Sequence, residues 1–174
     1  DLKGLKEGIA TGAIYPVFCG SGKTMCGVDI FMDALADYAV PADFYSETGT
    51  NDAGEEVKID ITESGDPLAI VFKTIIDPFV GKLSYFKVVQ GQISTESKIV
   101  NSATGEAERI SKVYIIKGGK QEEAKYIGAG DIGACPKLMT VNTGDSLTVA
   151  SKKISLKGIE FPKPTLSMAV ISTV

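Results

Sequence analysis

The sequence predicts a mainly β protein: an antiparallel β-barrel preceded by a short α/β segment with one strand and one helix. Three observations carry this prediction. From residue 68 onward, short apolar and β-branched runs recur at strand spacing, with turn residues between them. Before residue 42, one buried-strand pattern and one helical pattern occur. The 174 residues are 44% apolar and 23% charged, which is typical of a globular protein.

The first forty residues have the pattern of half an α/β unit. Ile14–Cys19 is a short apolar run that ends at Gly20 and predicts a buried strand. Residues 27–40 place four apolar side chains at helical spacing, and Pro41 ends the predicted helix. Because a single strand cannot form a sheet, we expect this segment to be the end of a larger domain. The start at Asp1, without Met, likewise favours an excised fragment.

The charge is divided unevenly along the chain. Residues 1–66 carry 4 Lys and Arg against 13 Asp and Glu, whereas residues 67–174 carry 14 against 9. Residues 43–66 are acidic and rich in turn residues, so we interpret them as a linker that contains a domain boundary and a small hairpin around residues 51–54, with Val57, Ile59 and Ile61 alternating. The basic second half is compatible with a polyanionic partner such as RNA.

The barrel prediction is built around the stretch Asp77–Leu83. Pro78 has no N–H to donate and Gly81 can take a positive φ, so the stretch should turn the chain between two strands. The predicted strands are 68–76, 83–89, 98–101, 109–116, 130–135, 146–149 and, last, 165–170.

Several kinds of chemistry are disfavoured by the residues present. The chain has no His, which removes the commonest general base and metal ligand, and we expect no catalytic and no metal-binding residues. Its three cysteines have neither zinc-site nor disulfide-framework spacing. Gly20–Thr24 ends in Gly-Lys-Thr, but a phosphate-binding P-loop needs glycine where Val17 stands. Asp29, Asp33 and Asp37 recur every four residues and are interpreted as a solvated helix face, opposite a buried face with Phe31 and Leu35.

The basic residues of the barrel are the candidate binding residues. Eight Lys and Arg stand against five Glu between Val80 and Lys125. Lys87 alternates with Phe86 and Val88, so it should point away from the core if they point into it. On charge alone, an ordinary solvated surface is the simpler interpretation, and RNA binding by so small an excess would be weak and sensitive to salt.

The order of motifs resembles the elongation factor G family. The run Asp77-Pro78-Phe79-Val80-Gly81-Lys82-Leu83 is similar to the first hairpin of its domain II. The similarity continues through Glu108-Arg109-Ile110, Ala129-Gly130-Asp131-Ile132, Thr143-Gly144-Asp145 and Phe161-Pro162-Lys163-Pro164. Residues 16–21 resemble the last strand and guanine-side loop of its GTPase domain, and residues 27–41 resemble that domain's last helix.

The resemblance implies a domain organisation. Residues 1–42 would be the end of a GTPase domain, 43–66 the linker, 67–164 a domain II barrel of the translation-factor type, and 165–174 the exit towards domain III. It also implies a ribosome-dependent GTPase as the full-length parent, which would bind GTP and Mg²⁺, whereas this fragment would hold no cofactor and catalyse nothing. The expected location is the cytoplasm, with no membrane or DNA partner.

The resemblance also implies which residues bind. Domain II of the family rests on rRNA of the small ribosomal subunit, so the basic residues of the barrel would pair with phosphates. The candidates are Lys82, Lys87, Lys98, Arg109 and Lys112. Ser21 would be a vestigial guanine contact, but Gly22 and Lys23 depart from the family pattern and point to a divergent paralogue. The alternative interpretation is a protein- or ligand-binding barrel of such a paralogue, not active in elongation.

Overall fold

A computed structural model describes residues 2–151 and 153–171 of the chain. It has two compact units, Asp1–Tyr45 and Ser46–Val174. The first unit contains helices and loops, and the second contains every strand among the described residues. Within these residues, no helix is long and apolar enough to cross a membrane.

The first unit contains helices α1, Leu2–Ala10, and α2, Val28–Tyr38, followed by a short 3-10 helix, Ala42–Phe44. Helix α2 begins after Gly27, as its apolar spacing predicts. Helix α1 was not predicted, because glycines at positions 4 and 8 obscure its period. The strand predicted at Ile14–Cys19 is wrong: the segment has no regular structure, since no second strand among the described residues of this unit lies beside it.

The apolar face predicted for α2 is present but not buried. Phe31 and Leu35 are 40% and 43% exposed. The ring of Phe31 packs edge to face on Phe18, with centroids 5.3 Å apart. The three aspartates of the opposite face are exposed. The unit as described therefore leaves both faces of this helix in contact with solvent.

The second unit is a curled antiparallel sheet with two smaller ladders. The strands are β1 Ser46–Thr50, β2 Glu56–Asp60, β3 Leu68–Asp77, β4 Gly81–Gln90, β5 Gln92–Ser94, β6 Lys98–Asn101, β7 Ala107–Arg109, β8 Val113–Lys117, β9 Lys120–Ala124, β10 Tyr126–Gly128, β11 Ile132–Pro136, β12 Ser146–Thr148 and β13 Ser155–Leu156. Eight strands follow the order β7-β6-β12-β3-β4-β11-β8-β9, while β5 pairs with β10 and β1 pairs with both β2 and β13. The edge strands β7 and β9 do not pair with each other, so the barrel is open.

The core lies inside the curled sheet. Alternate residues of β3 and β4 face it, including Val71, Phe86 and Val88, all fully buried. Lys87 faces the other way, as the alternation predicts. Strands β3 and β4 pair from Leu68↔Gln90 to Asp77↔Gly81, with register shifts near each end of the Leu68–Lys73 stretch. The long hairpin therefore carries the corner turn well beyond the core.

The segment interpreted as a linker, residues 43–66, contains the β1–β2 hairpin. Ile59 and Ile61 are each 5% exposed and form a second apolar cluster with Leu68, Val89 and Leu156. The hairpin predicted around residues 51–54 is thus confirmed, and only the alternate residues of β2 that face the sheet are apolar. The boundary between the two units falls after Tyr45, so the structure places residues 46–66 in the same unit as the barrel.

Two predicted strands differ from those observed. The run 109–116 is broken at Ile110, which is fully buried and exchanges backbone hydrogen bonds with Glu96 and Ser97 instead of continuing the ladder. Residues 165–170 form no strand, and Leu166 and Val170 are 75% and 95% exposed. Their alternating pattern lacks a partner strand among the described residues.

Candidate nucleic-acid interface

The turn between β3 and β4 is held by hydrogen bonds to Asp77 although it lies at the surface. Asp77 accepts hydrogen bonds through Oδ1 from the backbone N–H groups of Phe79 (2.8 Å) and Val80 (2.9 Å). Its Oδ2 accepts one from Gln121 Nε2 at 3.1 Å. The hydrogen bonds from Val80 and Phe79 lower the pKa of Asp77, so the carboxylate that holds the turn stays ionised.

This hydrogen-bonded turn presents Phe79 to solvent. The side chain is 95% exposed, the most of any phenylalanine in the described residues. Beside it is a cavity of about 370 Å³, which we call the corner slot. The slot is lined by Phe79, Val80, Ser111, Lys112, Tyr114, Pro136 and Lys137. It combines aromatic rings with two cations, the pair of groups that proteins use to hold single-stranded nucleic acid.

The side chain of Lys82 already makes hydrogen bonds within the protein. Its Nζ donates to the carbonyl oxygens of Val141 at 2.6 Å and Met139 at 3.3 Å. Glu108 holds the same loop by accepting from the N–H groups of Met139 and Thr140. Burial raises the pKa of Glu108, but the Thr140 and Met139 hydrogen bonds and the charge of Lys82 together bring it below its ordinary value. Lys82 therefore stabilises a loop of the barrel.

Three more of the predicted cations are paired with carboxylates. Lys87 Nζ lies 3.0 Å from Glu47 Oε1 on strand β1. Lys112 Nζ lies 2.7 Å from Glu123 Oε2, and this hydrogen bond raises the pKa of the lysine. Arg109 is bonded to Glu96 in the same way. These exposed or half-exposed pairs are weak, so a phosphate could compete for the cation.

Lys98 is the one predicted cation that makes neither an ion pair nor a side-chain hydrogen bond in the part of the chain that the structure describes. It is exposed on β6 and lies directly across from Arg109 on β7. The structure therefore groups Lys98 with Arg109, places Lys112 in the corner slot, and keeps Lys87 apart beside the β1–β2 hairpin. The five candidates do not form one continuous patch.

Ser21 lies in the loop that precedes α2 and is half-buried. Its N–H donates to the carbonyl of Cys26 at 2.9 Å, and its Oγ accepts from Thr24 N–H at 3.3 Å. Both groups are thus satisfied inside the loop. Lys23 and Thr24 precede the first helical residue, Val28, by several positions, whereas a P-loop helix would open on them.

Sequence reasoning missed three residues of the corner slot: Phe79, Tyr114 and Lys137. The signal for Phe79 was available, because a large aromatic side chain between Pro78 and Gly81 lies in a turn that cannot bury it. Lys137 gave no such signal. It is brought to the slot by a positive φ of 61° and by its N–H, which donates to Lys82 O at 2.7 Å.

Two comparisons with known proteins agree with this fold. A family model described as elongation factor G domain 2 matches residues 66–150. A crystal structure of a protein from Thermus thermophilus matches with a TM-score of 0.67 at 22% identity, over 95% of this chain. At that identity the match shows a shared fold. The chain spans only 23% of the length of that protein.

Proposed function

Because the chain carries, in residues 66–150, a domain II of the elongation factor G family, we propose that it is part of a translation factor whose barrel docks on rRNA of the small ribosomal subunit. The barrel itself is non-catalytic. Its role is to hold the factor on the subunit and to relay changes in a GTPase domain to later domains.

The exposed ring of Phe79 at the corner slot is the observation that carries this proposal. Because Asp77 already holds the backbone of the turn, a base that stacks on this ring has to order only the rotamers of one side chain. Lys137 and Lys112 border the same cavity and can pair with the flanking phosphates. The contact reads the shape of an RNA loop or bulge rather than a base sequence.

The charges of the barrel favour a modest, salt-dependent contact. Among the predicted candidates and the lysines of the corner slot, Lys98 and Lys137 alone make neither an ion pair nor a side-chain hydrogen bond within the described residues, so they are the most available of this set to phosphate. Lys112, Lys87 and Arg109 become available only by exchanging a glutamate for a phosphate. We therefore assign the electrostatic part of docking first to Lys98 and Lys137.

The first unit is proposed to be the end of the GTPase domain. Support comes from α2, whose apolar residues are exposed on more than one side: Ile30 by 65%, Met32 by 57% and Leu35 by 43%. Such a helix is expected to be covered on several faces by protein. The parent protein would then bind GTP and Mg²⁺ through further segments, work in the cytoplasm, and hydrolyse GTP on the ribosome.

The end of the chain is proposed to lead into a third domain. Leu166, Met168 and Val170 alternate with small or polar residues and are 75–95% exposed. This is the pattern of a strand whose apolar face packs on another layer. The exit at residues 165–174 would supply that strand to the next domain.

One observation favours the alternative, a protein- or ligand-binding barrel. A groove of about 520 Å³ on the barrel wall is lined in part by Ile115, Tyr126 and Ile132, which are 40–55% exposed. Apolar side chains gathered in this way suit a protein or small-molecule partner better than rRNA. The groove and the corner slot both involve strands β8 and β11, but they have no lining residue in common. Mutations can therefore separate the two hypotheses.

Charge reversal tests the proposal. We expect the variant with both Lys98→Glu and Lys137→Glu to bind small subunits at least tenfold more weakly at about 100 mM salt, and to lose about one to two units of the slope of log affinity against log salt. Lys58→Glu, the same charge change on an exposed lysine of the hairpin, is the control. Unchanged affinity and slope in the double variant would refute rRNA docking through these cations. The Lys82 and Lys87 reversals are less suitable, because both side chains hold the fold.

A further inference from the structure

Two exposed cysteines border one short loop in the first unit. Cys19 and Cys26 enclose residues 20–25, and both side chains are exposed. The ends of this loop are in contact, since Ser21 N–H donates to Cys26 O at 2.9 Å. We call residues 19–26 the cysteine loop.

The two segments that carry the cysteines touch along their backbones. A Cβ added at Gly27 would lie 2.8 Å from Cys19 O, and one added at Gly20 would lie 3.0 Å from Cys26 O. Only glycine permits so close an approach. Met25 and Gly27, with φ of 62° and 74°, turn the chain on both sides of Cys26 and direct its carbonyl towards Ser21.

This contact favours an intramolecular disulfide, because it places Cys19 and Cys26 on adjoining stretches of backbone. A disulfide needs α-carbons within about 7 Å of each other, and only neighbouring stretches of chain can supply that spacing. The loop between them is short and exposed, so small rotations can align the sulfur atoms. Closing a loop whose ends already touch costs little chain entropy. The sequence spacing alone did not indicate this pairing, because the contact depends on glycines at positions 20 and 27.

We propose that Cys19 and Cys26 form a reversible dithiol–disulfide pair that closes the cysteine loop. With a disulfide oxidant such as glutathione disulfide, the thiolate of one cysteine attacks a glutathione sulfur, breaks the S–S bond and releases one glutathione thiol. The second cysteine then attacks the protein sulfur of the mixed disulfide and releases the other glutathione. The two cysteines lose two electrons and two protons, and both are gained by the glutathione molecules.

Cys135 provides an internal control. It is fully buried in the core of the second unit, and its Sγ lies 3.6 Å from Pro136 O. Burial raises the pKa of its thiol to about 12, so it holds almost no thiolate at neutral pH. Oxidation under native conditions should therefore spare it.

The disulfide would fix a loop that now depends on weak interactions. Its present closure rests on the Ser21–Cys26 hydrogen bond and on the 3.3 Å contact between Thr24 N–H and Ser21 Oγ. A covalent link between residues 19 and 26 would lock Ser21 in this arrangement. The inference does not depend on the proposed ribosomal role, since it concerns only the thiols of this unit.

The test is oxidation of the folded chain with glutathione disulfide, followed by denaturation, thiol counting and peptide mapping. We expect the count to fall from three thiols to one and the mass to fall by two hydrogens. Trypsin cuts after Lys23, between the two cysteines, so their peptides should remain joined until a reductant is added. Cys26→Ser should instead carry one glutathione on Cys19.

Three results would overturn the proposal. These are three free thiols after oxidation of the wild-type chain, stable glutathione adducts on both Cys19 and Cys26, or a dimer linked through Cys19 alone. Replacing Cys135 by serine should leave the outcome unchanged, and a loss of the disulfide in that variant would also contradict the assignment.

Discussion

At the scale of single residues, the side chain of Phe79 is one that the fold does not need. Its side chain is 95% exposed, so it adds almost nothing to the buried surface of the barrel. Its backbone N–H is held by Asp77 whatever side chain it carries. A residue placed in this way is conspicuous because stability does not require a large apolar group there.

We expect Phe79→Ala to leave the free energy of unfolding within about 0.5 kcal/mol of wild type. The same change should weaken binding to small subunits by roughly 5- to 100-fold, because one base–aromatic stack contributes about 1–3 kcal/mol. Urea denaturation and subunit sedimentation measure the two effects. Tyr126→Ala, which shortens an exposed aromatic side chain on the barrel wall, is the matched control. Equal effects of both variants on binding would contradict a specific role for the corner.

Glu108, unlike Phe79, is needed for stability, because its carboxylate holds a loop of the barrel. It accepts hydrogen bonds from Met139 and Thr140 and lies in the field of Lys82. Its pKa is lowered from an ordinary value of 4.5. A carboxyl whose pKa is lower in the folded state stabilises the protein above its unfolded pKa, and this contribution is lost as the pH falls through the folded pKa.

Glu108→Gln should therefore reduce the free energy of unfolding by about 1–3 kcal/mol at pH 7. The difference from wild type should shrink as the pH falls below 4.5. Denaturant melts between about pH 3 and pH 7 measure it, with Glu106→Gln, an exposed neighbour, as the control. A pH-independent difference would show that the charge of Glu108 is not what holds the loop.

At the scale of elements, the β1–β2 hairpin is a structural part of the barrel unit. Its buried residue Ile59 packs with Leu68 and Val89, which belong to the two longest strands. The side chain of Ile59 also packs against Gly49 of β1, where an added Cβ would come within 2.8 Å of Ile59 Cδ1. The hairpin therefore covers the outer face of β3 and β4 rather than joining two domains loosely.

Truncation of Ile59 tests this. Ile59→Ala should lower the free energy of unfolding of the barrel by about 2–5 kcal/mol, because it removes a buried side chain from the cluster. Lys58→Ala, on the exposed face of the same strand, should change it by less than about 0.5 kcal/mol. If Ile59→Ala were as mild as the control, residues 43–66 would act as a linker after all.

The elements that sequence could predict are those whose signals are local. The corner at Asp77–Leu83, helix α2 and strands β3, β4, β6, β11 and β12 each have apolar spacing or turn residues of their own. The break at Ile110 could not be foreseen, because it depends on hydrogen bonds to Glu96 and Ser97. Likewise, the pairing of Lys87 with Glu47 depends on how the β1–β2 hairpin packs beside β4, which its local pattern does not indicate. The sequence could propose five cations, but it could not show which of them already have partners within the protein.

At the scale of the whole molecule, the two units should differ in local stability. The strands of the second unit contain fully buried residues, whereas no residue of α2 is buried. Amide hydrogens of α2 should therefore exchange at least about 100-fold faster than those of β3 and β4, which open only with global unfolding. Hydrogen exchange read by mass spectrometry measures this. Equal protection of α2 and β4 would contradict the view that the first unit lacks most of its packing partners.

Site-specific crosslinking tests most directly whether the corner slot rests on small-subunit rRNA, as we propose. A photoreactive phenylalanine analogue placed at position 79 should crosslink to small-subunit rRNA when the chain is bound to the subunit. The same analogue at position 126, on the barrel wall, should not. Crosslinks from position 79 to ribosomal protein alone, or equal rRNA crosslinks from both positions, would contradict the account.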